Sequence, residues 1–230
     1  REVSAPEIGK IHEYIQVIDR SGFFEVTALS DDDLRRNKMY QENTQRIQLQ
    51  AAFADYTEYL ISLQMKGIIK AFESVYLARI AQLTNKSNQF NLTTRRYTQA
   101  EIEEIAKSEN YLTLYGKLLD RFGDNGVVSV IVGRVIQEEC RIDLWLMSCR
   151  VLKRDMELAM MDTLVHRCRE AGIQRLYGSY YPTPKNGMVR ALYASLGFSK
   201  ISEDQDGNTE WMLVIDGSYQ DKNKVIQVEE

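Results

Sequence analysis

Between Gly67 and Ile215 no apolar run is longer than a strand, and these runs alternate with stretches whose apolar residues fall at helical spacing. A chain patterned this way builds a mixed sheet covered by helices, the α/β (α+β) class. Residues 68–73 read as a strand. Residues 75–88 place Val75, Leu77, Ala78, Ile80, Ala81 and Leu83 along a helix, and Thr98 with Glu101 forms a capping box for a second helix reaching Ser108. Three strands are expected over 111–121, 127–135 and 142–151, the first two joined by the Asn-Gly pair inside 122–126. A helix over 155–171 should stop at Gly172, where a left-handed residue ends it. Then come a strand over 173–180, the loop YPTPKNG, a helix over 188–196 stopped by Gly197, and a hairpin of 198–201 with 211–215.

Ahead of this domain the pattern is helical. Ser30 followed by Asp31, Asp32 and Asp33 supplies a cap and three acids, which free N–H groups and the helix dipole favour at a helix start. The helical pattern runs from there toward Gly67 with a break near residues 51–55. Residues 12–18 read as a short helix and 23–28 as a short strand. The expected organisation is an N-terminal extension over 1–66, a domain over 67–216 and a C-terminal tail over 217–230.

Charge excludes some partners. Lys plus Arg number 29 against 33 Asp plus Glu, a net charge of −4, so no bulk attraction draws the chain to nucleic acid or an anionic membrane. The opening REVSAPEIGK has no apolar signal core, and the run at 127–132 falls far short of the roughly 20 residues a membrane span requires. Three cysteines do not make a disulfide framework; reduced thiols in the cytoplasm are the expectation.

The expected order of elements is strand, two helices, a three-strand meander, helix, strand, helix and strand. This order resembles the GNAT acyltransferase superfamily from Gly67 to Ile215. The segment NGMVRALYASLGF, Asn186 to Phe198, resembles that superfamily's late motif, an Asn seven residues ahead of a Tyr on a helix ending in Gly-Phe. The stretches RIAQLTNKSNQFNLTTRRYT (79–98), DRFGDNG (120–126), LMSCRVLKR (146–154) and PTPKN (182–186) resemble the C-terminal half of FkbH-like proteins. In that family the GNAT-like half follows a haloacid-dehalogenase-type phosphatase half, and the two load a glyceryl unit from 1,3-bisphosphoglycerate onto an acyl carrier protein. The resemblance therefore implies an acyltransferase whose partners are an acyl carrier protein, the phosphatase domain and a phosphoglyceryl molecule. The phosphatase nucleophile needs Asp-x-Asp after an apolar strand. Asp31 to Asp33 is the only candidate and reads as a helix cap, so the chain is expected to be a fragment without phosphatase chemistry or a metal.

In a GNAT enzyme a glycine-rich turn after the fourth strand lets helix N–H groups cradle the coenzyme A pyrophosphate. Here the stretch is LKRDMEL (152–158), with Asp155 and Glu157 where glycines are expected. Two carboxylates repel a diphosphate, so the expected ligand is the phosphopantetheine arm of a carrier protein, with coenzyme A disfavoured and no cofactor held tightly. The resemblance places Cys149 near the thioester carbonyl, beside Arg150, Lys153 and Arg154, cations that favour a thiolate nucleophile. A strand cysteine with no chemical role is the alternative. Arg150, Val151 and Asn186 are expected along the pantetheine, and Tyr193 as the acid protonating the departing thiolate, or else as a packing aromatic. The loop NQFNLTTRRYT offers Asn88, Gln89, Asn91, Thr93, Thr94, Arg95 and Arg96 to the phosphoglyceryl donor, an arginine meeting its phosphate; alternatively these side chains tie down their own loop. His166 reads as solvated, Cys168 as core.

Overall fold

The computed structural model describes residues 31–229 together with Tyr14 and Val17. Of the helix expected over 12–18 only those two residues are described, both helical; the strand expected over 23–28 lies outside the described residues. The chain forms two compact units, residues 1–44 and 45–230. Helix α1 (Asp31–Gln50) starts at the acidic triplet. Its residues through Thr44 belong to the first unit.

In the second unit the expected break at 51–55 is present, and α2 (Tyr56–Ser62) opens on Asp55, whose carboxylate accepts the Glu58 N–H at 2.9 Å. Tyr59, Leu60 and Leu63 enter the core. There follow β1 (Met65–Lys70), α3 (Leu77–Lys86), the two-residue β2 (Phe90–Asn91), α4 (Gln99–Lys107), β3 (Tyr111–Asp120), β4 (Gly123–Ile136) and β5 (Glu139–Met147). After β5 come α5 (Met156–Glu170), β6 (Arg175–Tyr180), the short α6 (Leu192–Ser195), β7 (Ser199–Glu203), β8 (Thr209–Val214) and β9 (Ile226–Glu229). Thr98 and Glu101 close the reciprocal capping box on α4. Gly172 and Gly197 take left-handed φ of 72° and 89° at the ends of α5 and α6, as expected of helix-terminating glycines.

Among the described residues nine strands share one sheet, ordered β7-β8-β6-β5-β4-β3-β1-β9, with β2 set beside β5. β5/β6 and β1/β9 are parallel; the other pairs are antiparallel. The central strands are apolar on both faces because helices cover both. Val128, Ile131, Trp145 and Met147 face the side that carries α5, while Val130, Val132, Leu144 and Leu146 face α3 and α4.

Two expectations are corrected. The Asn-Gly pair does not make the β3–β4 hairpin turn. The chain reverses at Arg121 and Phe122, where the Asp120 carboxylate accepts the N–H groups of Phe122 and Gly123. Asn125 and Gly126 lie within β4 at an irregular register, Asn125 Nδ2 donating to the Leu118 carbonyl and Gly126 at φ 69°. The stretch read as a C-terminal tail also contributes a strand. The buried Asp162 carboxylate on α5 accepts the Tyr219 hydroxyl at 2.7 Å and the N–H groups of Lys222 and Asn223, and β9 then pairs with β1. No described helix is long and apolar enough to cross a membrane.

Candidate active site

β5 carries the geometry that matters. Its first part, Glu139–Ile142, pairs with β6. Its second part does not, because β6 diverges and the segment 90–93 enters the gap. Phe90 and Asn91 pair with Met147 and Leu146, the Leu92 N–H donates to the Trp145 carbonyl at 3.1 Å, and the Leu92 carbonyl accepts the Tyr181 N–H at 2.9 Å. Thr93 Oγ1 donates to the Asp143 carbonyl at 2.8 Å. The opening between the two parallel strands is therefore closed by peptide, and backbone groups left over by the divergence are satisfied there.

This wedge decides what the polar loop does. Asn91 is fully buried, its Oδ1 accepting the Thr94 N–H and its Nδ2 donating to the Ser87 carbonyl, with Thr94 held at φ 56°. The Arg96 guanidinium donates to the carbonyls of Thr84 and Ser87 and to Asn88 Oδ1. Arg95 pairs with Asp143, which also meets Arg134 at 3.3 Å. Gln89 is exposed. These bonds match the alternative reading of the loop: Asn88, Asn91 and Arg96 bond within it, Thr93 ties it to β5, and Thr94 takes part through its backbone N–H, since a backbone wedged into a sheet leaves carbonyls that need local donors.

Asn186 is likewise absorbed. It is fully buried, Nδ2 donating to the carbonyls of Asn91 and Tyr181 at 2.9 Å each, and Oδ1 accepting the Thr183 N–H at 2.7 Å. It fastens the loop after β6 to the wedge. The Tyr193 ring lies against Gly178, where a Cβ would come within 2.2 Å of it, and among Trp145, Phe198 and Trp211. Its hydroxyl is buried with no hydrogen-bond partner among the described residues, and burial holds its pKa far above the ordinary phenol value.

β5 ends at Met147, before the predicted limit. Cys149 lies beyond it, exposed on a single 3-10 turn (Cys149–Val151) that Ser148 caps by accepting the Arg150 N–H. Arg150 is exposed and Val151 is buried in the core. Arg154 does not attend Cys149. Its guanidinium is buried and meets Asp120 Oδ2 at 3.1 Å, while Arg46 grips both oxygens of the same carboxylate at 2.8 Å. Burial alone would raise the Asp120 pKa, but the Arg46 bonds, the Phe122 N–H and both cations outweigh it and hold it low. Asp120 serves the β3–β4 turn as well, but nothing local in the sequence announces its arginine partners 74 and 34 residues away.

Past the wedge a cleft of about 220 Å³ opens at the end of β5. Phe90 and Met147 contribute from the sheet, Met188, Val189 and Leu192 from the segment around α6, and Leu152, Lys153 and Glu157 from the turn into α5. Cys149 is bracketed in sequence by two of these lining residues. In the turn, Lys153 and Asp155 take left-handed φ of 63° and 58°, so the glycine-like conformations fall at these positions, whereas Glu157 is already in the first turn of α5. The Lys153 carbonyl accepts the Tyr56 hydroxyl at 2.7 Å. Asp155 occupies the N-cap position without a side-chain capping bond, and burial raises its pKa.

Glu157 is the residue sequence reasoning undervalued. Its Oε2 is buried with no hydrogen-bond partner among the described residues, and burial followed by the nearby Asp155 charge pushes its pKa up. A signal was present: Met160, Met161 and Leu164 stand three, four and seven residues after it, so a helix burying those residues carries Glu157 on the same arc. No cluster of described His, Cys, Asp or Glu side chains could hold a metal ion. His166, expected in solvent, stands 2.9 Å from Asp221. Cys140 and Cys168 are buried.

No protein-family description matches the chain, and no curated protein matches it. Solved structures do. The chain is similar to the ribosomal-protein-S18-alanine N-acetyltransferase of Escherichia coli at 16% identity, over 69% of this chain and 99% of that one, with a TM-score of 0.50. It is similar to a GNAT-family acetyltransferase of Streptococcus pneumoniae at 15% identity, over 66% and 100%, with a TM-score of 0.52. A domain from Methanocaldococcus jannaschii matches at 13% identity, over 65% and 99%, with a TM-score of 0.51. The fold is that of the GNAT acetyltransferases.

Proposed function

We propose that this chain is an acyltransferase module acting on a pantetheine thiol presented by an acyl carrier protein, with glyceryl as the group moved, as in FkbH-like proteins. One observation carries this reading: the turn leading into α5 is hostile to a diphosphate, while the cleft beside it can take a slender apolar arm. Asp155 and Glu157 set two carboxylates where a diphosphate would approach the helix start, and the one buried cation there, Arg154, is committed to Asp120. Carboxylates and phosphates at close range repel. Phe90, Met147, Leu152 and Leu192 line the cleft with apolar surface that suits a pantetheine chain. In this reading Cys149, exposed on the turn after β5, is the group on this chain able to receive the acyl unit: its thiolate displaces phosphate from the donor's acyl phosphate to form a thioester, and exchange with the carrier's thiol then frees Cys149. The test is intact-mass measurement after mixing the chain with its phosphatase half, 1,3-bisphosphoglycerate and a pantetheine-loaded carrier protein. A glyceryl adduct on the carrier that needs this chain supports the reading. Equal loading without the chain sinks it, and an adduct persisting in Cys149→Ala removes Cys149 from the path.

The wedge favours a second reading, a module that docks the carrier protein or the phosphatase half without chemistry, because segment 90–93 closes the gap between β5 and β6. Unchanged glyceryl loading by a Cys149→Ala, Tyr193→Phe double variant selects it.

A further inference from the structure

Burying a carboxylate oxygen without a donor costs folding free energy, and an amide of the same shape would avoid the charge. In this molecule the unpartnered Oε2 of Glu157 belongs to a residue lining the cleft at the end of β5. The rest of the lining is mainly carbon, with Phe90, Met147, Leu152, Val189 and Leu192 in it beside the Ser195 hydroxyl, which donates to the Leu192 carbonyl. Lys153, the cation of the lining, is an exposed residue, and no ion pair between it and Glu157 is formed. A mainly apolar slot lined by a residue with an unpartnered carboxylate oxygen matches an uncharged chain that carries an N–H donor. It does not match a bare hydrocarbon, which would leave the acceptor empty, or a phosphate, which would oppose it. A pantetheine arm, with two secondary amides on a narrow chain, has that chemistry.

We propose that Glu157 is the specificity-determining residue of the cleft, its buried carboxyl accepting an amide N–H of the pantetheine arm. The assignment rests on the carrier-protein reading above and goes further, since it names the contact by which this chain distinguishes an amide-bearing arm from an acyl chain of similar girth. Glu157 here positions the arm and takes no part in bond making.

The experiment uses the whole chain and free ligands: D-pantetheine, coenzyme A and octanoate, titrated by calorimetry or by methyl shifts of Met147 and Met188. Pantetheine should bind the unaltered protein more tightly than octanoate or coenzyme A. Glu157→Leu should weaken pantetheine about tenfold or more, the loss of a hydrogen bond to a charged acceptor, and should not weaken octanoate. Glu157→Gln, which keeps an acceptor but no charge, should fall between. Circular dichroism and thermal melts establish that both variants are folded. Equal pantetheine affinity in Glu157→Leu overturns the proposal while leaving the carrier-protein reading intact. Failure of the unaltered protein to bind pantetheine, or a preference for octanoate, also overturns it, and the glyceryl-loading measurement then judges the wider reading separately.

Discussion

The loop from Ser87 to Tyr97 and the turn from Ser148 to Glu157 are both short and polar, and the structure uses them in opposite ways. In the loop, Asn91, Thr93 and Arg96 give their polar atoms to nearby carbonyls and N–H groups. In the turn, Arg154 is anchored to Asp120, but half-buried Glu157 keeps one buried oxygen unused. Richness in polar residues marks both segments. What distinguishes them is unfilled hydrogen-bonding capacity, and that is the better guide to a site.

The comparison breaks hardest at its anchor. Asp120→Ala removes the carboxylate that Arg46 and Arg154 share, leaves the buried Arg154 without its ion pair, and should destabilise the protein by about 3–5 kcal/mol in urea denaturation; a loss under 1 kcal/mol would mean the ion cluster does not hold the turn. Asn186→Ala removes the amide that ties segment 90–93 to the loop after β6, and should cost about 2–3 kcal/mol, leaving buried donors and acceptors unmet. Were the wedge separable from the fold, that variant would melt like the parent.

Glu157→Gln should do the reverse and stabilise the protein by about 1–2 kcal/mol near neutral pH. The pH dependence separates the two carboxyls. Asp120 has a depressed folded pKa, so its stability is present above the unfolded value of about 3.9 and is lost as pH falls through the folded one. Glu157 has a raised folded pKa, so its contribution is greatest below the unfolded value of about 4.3 and is lost as pH rises through the folded one. Denaturation from pH 4 to 7 should therefore show Glu157→Gln gaining on the parent as pH rises, and a constant gap would contradict a buried titrating Glu157. The smallest effects belong to the loop's surface. Arg95→Ala, losing a half-exposed pair with Asp143, should change stability by less than about 1 kcal/mol, with Arg96→Ala clearly worse because its bonds are to carbonyls.

Much of the architecture was legible along the chain. The capping box at Thr98 and Glu101, the left-handed glycines at 172 and 197, and the central strands are local signals, and local signals survive folding. The Asn-Gly pair misled because the Asp120 carboxylate supplied an earlier turn and left Asn125 to bond across the irregular stretch of β4. The site was less legible. Asn88, Asn91, Thr93, Thr94 and Arg96 looked like a ligand's partners, while Glu157 looked like a carboxylate that only repels a diphosphate.

By itself the sequence determined that a helix-covered mixed sheet would form and which residues would face its core, since burial periodicity and caps act over a few residues. Only the tertiary structure decided that a two-residue strand would close the gap beside β5, that Asp120 would gather arginines from distant segments, and that Glu157 would be left wanting a donor. Those outcomes depend on which groups meet after the chain has folded back on itself, and hydrogen-bond satisfaction is a property of that meeting.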